Sequence, residues 1–488
     1  MGVKENIENQ GFINREDSIW AGEWKKPVDW NQTEQVLGLD QKMWRRRTIA
    51  LRQFIDEQDQ SVLDIGAGNM YLKKILPDSV RYYPLDYVKR CADSLVYDLN
   101  QYEFPDMTVD AAVCAGIIEY LNDVPWFLDK LALCTKKIVL SYRSKEGGYE
   151  SSLYATDDII NMLNDRGFIL TQWNRKLSSE WPLLACFEKA APGLIGKNWF
   201  CTGCGACVNK CPTDALILKP DGRGFLKPVL DTEKCTGCMA CVNVCPAAKP
   251  VYKTEGAQDS CTCYAAWAED RIRLDSSSGG VFTVFAQNVI RQQGTVYGVQ
   301  YTDDFYVHHT GAASILELEK MRHSKYVQSN TEKTFQEAEK QLMEGKWVLY
   351  TGTPCQIAGL KSFLGREYER LILVDLLCFC VPPVTAFRKY LEECYGITHI
   401  SNVVFRDKYC GWGRMVLRFI KKMEWCYGLT AVRIVIKKHF MECCAETRPA
   451  RCAVIGHFHG KEISRLGTFG ELKIMMLHGP IKKEQALF

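Results

Sequence analysis

No run of about 18 apolar residues, the length a helix needs to cross a bilayer, occurs in the 488-residue chain. Its start, MGVKENIENQGFINRED, puts no apolar stretch behind a basic one, so a soluble, cytoplasmic protein is expected. Residue six is Asn where N-myristoylation takes Ser or Thr, which argues against that anchor. Charge of one sign is lacking too: 61 Lys and Arg face 58 acids, a net charge of +3. With no basic stripe, the surface suits neither nucleic acid nor an anionic membrane. At about 100–200 residues per domain, three or four units are expected.

Cysteine is abundant. In a large chain without a secretory signal, 23 cysteines point to metal ligation and redox chemistry rather than disulfides. CTGCGACVNKCP (201–212) and CTGCMACVNVCP (235–246) both read C-x2-C-x2-C-x3-C-P. That is the ferredoxin spacing in which three cysteines hold one 4Fe-4S cube and the fourth crosses to the other. The assignment is Cys201, Cys204, Cys207 and Cys245 to one cluster, and Cys235, Cys238, Cys241 and Cys211 to the second. Zinc is the alternative for C-x2-C pairs, but two matched quartets each closed by proline suit it poorly. The radical S-adenosylmethionine spacing C-x3-C-x2-C is absent. The double phrase closely resembles the dicluster ferredoxin module.

Upstream, QSVLDIGAGNMYLKKIL (60–76) reads as a strand, a glycine turn and a helix, the opening of a doubly wound sheet. A dinucleotide fingerprint would need a third glycine where Tyr71 stands. Asp86 ends the next apolar strand, placed to take ribose hydroxyls. The series resembles class I S-adenosylmethionine-dependent methyltransferases: Asp64, Gly66 and Gly68 match the glycine motif, Asp86 the ribose acid, Asp98 and Leu99 the adenine contact. The other reading is a doubly wound domain that binds a nucleotide weakly or only scaffolds. Residues 142–190 name no methyl acceptor.

Downstream, polar glycine-rich loops punctuate an alternating α/β pattern. SSSGG (276–280) precedes an apolar helix and TGTPCQ (351–356) follows a strand and opens another. Each is an anion seat or simply a helix cap. Together with MRHSKYVQSN, LILVDLLCFCVPP and VVFRDKYCGWG, these phrases resemble the beta subunit of coenzyme F-420 hydrogenase and dehydrogenase, from about residue 195 to 412. The resemblance implies FAD held by Ser277, Ser278, Gly279, Gly280, Ser324, Lys325, Tyr326, Gly352, Thr353, Pro354, Cys355 and Gln356. It places Lys325, Cys355 and Cys378 at the chemistry, with Lys325 offsetting negative charge on flavin or phosphate. It also implies a hydride donor such as coenzyme F-420 and a redox partner protein or small-molecule substrate. Where that family has Cys-His-Gly-Val-Pro-Ser, this chain has Cys378, Phe379, Cys380, Val381, Pro382 and Pro383, which removes a titratable group. His308 and His309 read as surface residues of a strand, and no neighbouring His activates Cys355 as a nucleophile.

The family pattern dissolves beyond Trp412. ISRLGTFGELKI (463–474) can, with synonymous codons and a one-base shift, be read as Asp-Ile-Thr-Leu-Gly-Asp-Phe-Trp-Gly-Ile-Glu-Asn, the GDFWG phrase expected there. The same shift near Pro449–Ala453 permits Cys-x-x-Cys. A frameshift between roughly residues 412 and 440 or a divergent tail would each account for this; the first makes Cys443, Cys444 and Cys452 accidental and the final segment poorly packed.

The expected architecture is multidomain α/β: an extension (1–39), a Rossmann-like doubly wound methyltransferase-like domain (40–190), a small α+β dicluster ferredoxin domain (195–255), an α/β flavin-binding oxidoreductase domain (260–425) and an atypical tail (426–488). The expected function is an iron–sulfur flavoprotein oxidoreductase with FAD, two 4Fe-4S clusters and S-adenosylmethionine. Its rivals are a methyltransferase with an accessory redox module and a non-enzymatic electron carrier or scaffold.

Overall fold

The computed structural model describes residues 41–144, 152–175, 181–248, 264–378, 380–408, 416–421, 433–434 and 472–476. The expected extension 1–39, and Phe379, Cys443, Cys444 and Cys452, lie outside them. Two compact units emerge, one built on the chain up to Ala190, the other on Phe200–Ala247 together with Lys253–Phe488. The ferredoxin-like and C-terminal segments thus share one unit. Among the described residues no helix is long and apolar enough to cross a membrane.

The first unit is a seven-stranded sheet of β1 (Ser61–Ile65), β2 (Arg81–Asp86), β3 (Leu95–Val96), β4 (Val109–Ala115), β5 (Thr135–Tyr142), β6 (Phe168–Trp173) and β7 (Leu183–Lys189), in the order β3-β2-β1-β4-β5-β7-β6. All pairs are parallel except those of β7 with β5 and β6. The central strands are near-continuous apolar runs because both faces are covered. Helix α1 (Gln41–Arg52) lays Ala50 and Leu51 on one face, over a core with Val62, Val113, Val139 and Trp181; α2 (Val124–Cys134) and α3 (Thr156–Asp165) complete the helical layers. The sheet order reverses between β1 and β4, the crevice where doubly wound folds bind ligands. One expectation is corrected: the turn after β1 leads to a 3-10 turn, Leu72–Lys74, and no α-helix. Pro77 follows too soon for a helix to propagate.

In the second unit, α4 (Ala206–Lys210) and α5 (Ala240–Asn243) follow the two cysteine loops and flank the hairpin of β8 (Leu216–Pro220) and β9 (Leu226–Leu230). Next come β10 (Tyr264–Ala268), α6 (Asp270–Arg273) and α7 (Val281–Arg291), then β11 (Thr295–Tyr301), β12 (Val307–Ala312), α8 (Ile315–Met321), α9 (Thr334–Met343), β13 (Val348–Gly352), α10 (Pro354–Leu364), β14 (Leu371–Asp375) and α11 (Val384–Tyr395). Their sheet has the order β12-β11-β13-β14, with β11, β13 and β14 parallel and β12 antiparallel. Because α7, α9 and α10 all begin at the carboxyl edge of the parallel strands, the loops before them gather there. β15 (Ile400–Asp407), β16 (Val416–Lys421) and β17 (Arg433–Ile434) form an antiparallel sheet. In the tail, β18 (Leu472–Met476) pairs with β10.

Candidate functional site

In the first unit the chain leaves β1 through Gly66 (φ +73°) and Gly68 (φ +52°), a left-handed path that glycine takes without strain. The amides of Gly66 and Ala67 donate to Leu85 O at 2.9 and 3.1 Å, drawing the turn onto the end of β2. Asp64 is buried and accepts from the Tyr82 hydroxyl at 2.6 Å. Burial pushes its carboxyl up to about 6, against the opposing pull of that hydrogen bond. Asp86 stands where a ribose acid belongs, but its oxygens are occupied: Gly68 N–H donates at 3.0 Å, Arg90 Nε at 2.9 Å and Arg90 Nη2 at 3.2 Å. Asp98 caps the turn over Leu99–Gln101 by accepting from Asn100 N at 3.0 Å, and Leu99 is buried beneath it.

Two residues missed in the sequence complete this edge. The Arg47 guanidinium of α1 lies against Gly116 (φ +65°) just past β4, so closely that a Cβ there would overlap its Nη1. Glu119 is buried and accepts from Arg143 N at 2.9 Å through Oε1, while its Oε2, like Arg47 Nε, has no hydrogen-bond partner among the described residues. Neither residue sits in a local motif; only the run Arg45-Arg46-Arg47 on an otherwise amphipathic helix hints at them.

The cysteine loops bend at Gly203 (φ +71°), Gly205 (φ +81°), Gly237 (φ +70°) and Met239 (φ +60°). The cysteines near enough to act electrostatically on Cys204 include Cys245 and Cys201, and those acting on Cys207 are Cys204, Cys201 and Cys245, with Cys241 of the other quartet. For Cys241 they are Cys211 and Cys235. The loops therefore bring each crossing cysteine toward the other phrase. All eight are free thiols, so the donor set fits two clusters of four cysteines each.

The loops expected around flavin all lie at the carboxyl edge of β11, β13 and β14. Ser277 Oγ accepts from Ser324 N at 3.1 Å and donates to Phe405 O at 3.4 Å, tying SSSGG to SKYVQS and β15. Lys408 Nζ donates to Ser278 O at 2.7 Å, Tyr326 OH accepts from Arg406 at 3.3 Å, and Gly279 and Gly280 lead into α7. In TGTPCQ, Gln356 Oε1 accepts from Thr353 N and Thr353 Oγ1, each at 3.0 Å, and Pro354 occupies the first turn of α10, a helix-start pattern. Cys355 Sγ lies 3.1 Å from Thr353 Oγ1. Gly352 ends β13, and Cys378 follows β14 at the same edge.

Two placements differ from the reading of the sequence. Lys325 is half-buried and turned inward: Nζ lies 2.8–3.2 Å from the carbonyls of Lys320, Met321, Arg322 and His323, which share its N–H groups and close the end of α8. Burial pulls its amine down to about 7. His309 is not on the surface; at 1% exposure its ring stacks on Tyr350, 5.5 Å between centroids. Nε2–H donates to Thr351 O at 3.2 Å, and Nδ1 lies 3.4 Å from Ser329 Oγ, which also accepts from Gln356 Nε2 at 2.9 Å. The strand alternation of Val307–Ala312 carried this signal, since His309 shares the inward side with Val307.

Residues 200–249 match the 4Fe-4S dicluster domain, and residues 345–458 match the carboxy-terminal part of the beta subunit of coenzyme F420 hydrogenase/dehydrogenase. The second match runs past Trp412, where the sequence alone lost the pattern. No curated protein matches the chain. Among solved structures, the chain is similar to the N-methyltransferase NodS from Bradyrhizobium japonicum (17% identity, 33% of this chain and 99% of that one, TM-score 0.27). It is also similar to a SAM-dependent methyltransferase from Aquifex aeolicus (18%, 33% and 96%, 0.25). A third is the F420-reducing [NiFe] hydrogenase complex from Methanosarcina barkeri (16%, 33% and 57%, 0.26). The chain therefore carries a 4Fe-4S dicluster match over residues 200–249 and, over residues 345–458, a match to the carboxy-terminal part of the coenzyme F420 hydrogenase/dehydrogenase beta subunit.

Proposed function

We propose that the second unit is an oxidoreductase passing electrons between a hydride donor of the coenzyme F-420 kind, FAD at the carboxyl edge, two 4Fe-4S clusters and a substrate or partner redox protein. The observation that carries this reading is α10. Its first turn is the TGTPCQ loop, and four residues past Cys355 its Gly359 packs against Cys204. FAD exchanges electrons in pairs with a hydride donor and singly with clusters, the chemistry such a junction requires. The chain's own part is positional. Ser277 and Ser324 lock two loops together, the Thr353–Gln356 pair fixes the third, and Lys325 holds the end of α8 rather than offering its charge to a ligand.

For the first unit we propose S-adenosylmethionine binding. A dinucleotide needs a helix N-terminus for its pyrophosphate, and the turn after β1 leads into none; a ligand without phosphates suits it better. Asp86 would take the ribose once Arg90 moves, and Arg47, at the reversal of the sheet, suits the carboxylate of the amino-acid end.

Anaerobically purified protein should contain about eight irons, as two such clusters hold, with one FAD, and should be reduced by reduced coenzyme F-420. Eight irons without flavin would leave an electron carrier and sink the oxidoreductase reading. For the first unit, Arg47→Met should weaken S-adenosylhomocysteine about tenfold or more, while 5′-methylthioadenosine, which has no amino-acid end, binds as before. Equal losses on both would remove Arg47 from that role.

A further inference from the structure

We infer that the two clusters are not equivalent: the one held by Cys201, Cys204, Cys207 and Cys245 is wired to the carboxyl edge of the second unit's sheet, and the one held by Cys235, Cys238, Cys241 and Cys211 is the outward terminal. The inference rests on the proposed oxidoreductase reading and gives it a direction.

The first loop is gripped on several sides by the segments that form the edge. A Cβ on Gly359 of α10 would stand 3.0 Å from Cys204 Sγ and 3.3 Å from its Cβ, so any side chain there would press on this cysteine. Cys355, in the first turn of the same helix, is among the thiols whose charge acts on Cys204. Thr331 Oγ1 donates to Cys204 O at 3.3 Å, and Gly205 lies so close to that hydroxyl that no side chain would fit.

Gln328 is the keystone. It belongs to the SKYVQS phrase expected at the flavin, yet its side chain turns to the cysteine loop. Its Oε1 accepts from Leu226 N at 2.7 Å and its Nε2 donates to Thr202 O at 3.2 Å. The crossing cysteine is seated on the same helix, because Ser362 Oγ of α10 donates at 2.7 Å to the carbonyl of Val244, the residue before Cys245. One helix therefore meets this quartet at both of its ends.

The second loop has the opposite surroundings. Cys238 is exposed, among the described residues nothing lies within 4 Å of where a Cβ on Gly237 would stand, and the Gly237 amide points back to Cys235 Sγ at 3.4 Å. Potentials of such clusters depend on exposure and hydrogen bonding, so the two differ in potential as well as in place. The two electrons of one hydride, its proton released to water, suffice to reduce each cluster by one. They reach the Cys204 cluster first and leave by the Cys238 cluster; a donor feeding the clusters drives the reverse.

The test uses the full chain, purified or reconstituted without oxygen, and needs no substrate. Cys204→Ser and Cys238→Ser each leave one cluster, whose dithionite-reduced EPR spectra serve as standards. Gly359→Val should retain about half the iron and give the Cys204→Ser spectrum. An iron chelator applied to the wild type should strip the outward cluster first, leaving the Cys238→Ser spectrum. Alkylation of Cys355 by iodoacetamide, read by mass spectrometry, should rise several-fold in Cys204→Ser and stay at the wild-type level in Cys238→Ser.

Gly359→Ala, with a smaller intrusion, guards against a misfolded valine variant and should shift the same cluster's signal. A Gly359 variant that perturbs the Cys238 cluster, a chelator that strips the Cys204 cluster first, or equal labelling of Cys355 would overturn the assignment while leaving the oxidoreductase reading intact. A wild type that takes up no iron on reconstitution would end both.

Discussion

Single side chains set two measurable responses to pH. Asp64 is a carboxyl raised to about 6 by burial, so its charge costs stability above that pH and the cost is relieved as pH falls through 6 toward the ordinary carboxyl value. Asp64→Asn keeps an acceptor for Tyr82 and removes the charge. It should raise the stability of the first unit at pH 7.5 by about 1–2 kcal/mol while weakening S-adenosylhomocysteine, as calorimetry and titration would show. His309 works in the other direction. Burial lowers it to about 4, so it folds neutral, and the stability it permits is lost as pH drops from about 6.5 to 4. His309→Gln should flatten the acid limb of the second unit's stability curve; an unchanged limb would mean that another group sets it. The cysteines and the Gly66–Gly68 turn were legible because spacing and backbone freedom are local properties. Arg47, Arg90 and Gln328 were not, since what defines them is a partner elsewhere: Gly116, Asp86 and Thr202.

Among the elements, helix presence and helix termini carry the information. The sequence reading asked for a helix after β1, since Leu72, Ile75 and Leu76 have helical spacing. A positive φ at Met70 and Pro77 leave room only for a 3-10 turn, and the pattern was too short for periodicity to decide. The edge loops, in contrast, were found as phrases and placed correctly relative to strands, because strand, polar loop and helix N-terminus follow one another in the chain. What the phrases hid was that Thr353 and Gln356 satisfy each other. Lys325 likewise serves an element. Its amine reaches the carbonyls at the end of α8, a helix too short to hold its own terminus. Lys325→Ala should cost about 1–3 kcal/mol in the second unit. Because burial has lowered the lysine to about 7, its charged form is penalised below that pH. The stability gap to the variant should therefore widen as pH rises from 7 toward the ordinary lysine value, a trend that melting curves at several pH values would reveal or refute.

Across the whole molecule, the two units owe their stability to different sources. The first has an extended apolar core under α1. In the second, the cysteine loops carry helices of five and four residues, too short to persist without support. Removing iron with a chelator under nitrogen should lower the melting transition of the second unit and leave that of the first where it was; a joint shift would show that the units do not melt independently. The tail belongs at this scale too. β18 pairs with β10 across some 200 residues of chain, and the family match continues to residue 458. A family match that continues in this frame to residue 458 favours the divergent tail over a frameshift between 412 and 440; sequencing the gene should therefore show no codons that spell Gly-Asp-Phe-Trp-Gly in the shifted frame over 463–474, and finding them would establish the frameshift.

The seat that Gly359 gives Cys204 also sets a schedule for making the protein. Gly359 leaves the ribosome 114 residues after Cys245, the last cysteine of the two phrases, which at about 5–20 residues per second is a delay of roughly 6 to 23 s. Through that interval both cysteine phrases are complete but the helix that encloses one of them does not yet exist. Iron delivered early meets two open loops and any oxygen present, whereas iron delivered late meets one open loop and one nearly closed. The timing of metal supply during synthesis, and not only its amount, would then decide how many chains mature with both clusters.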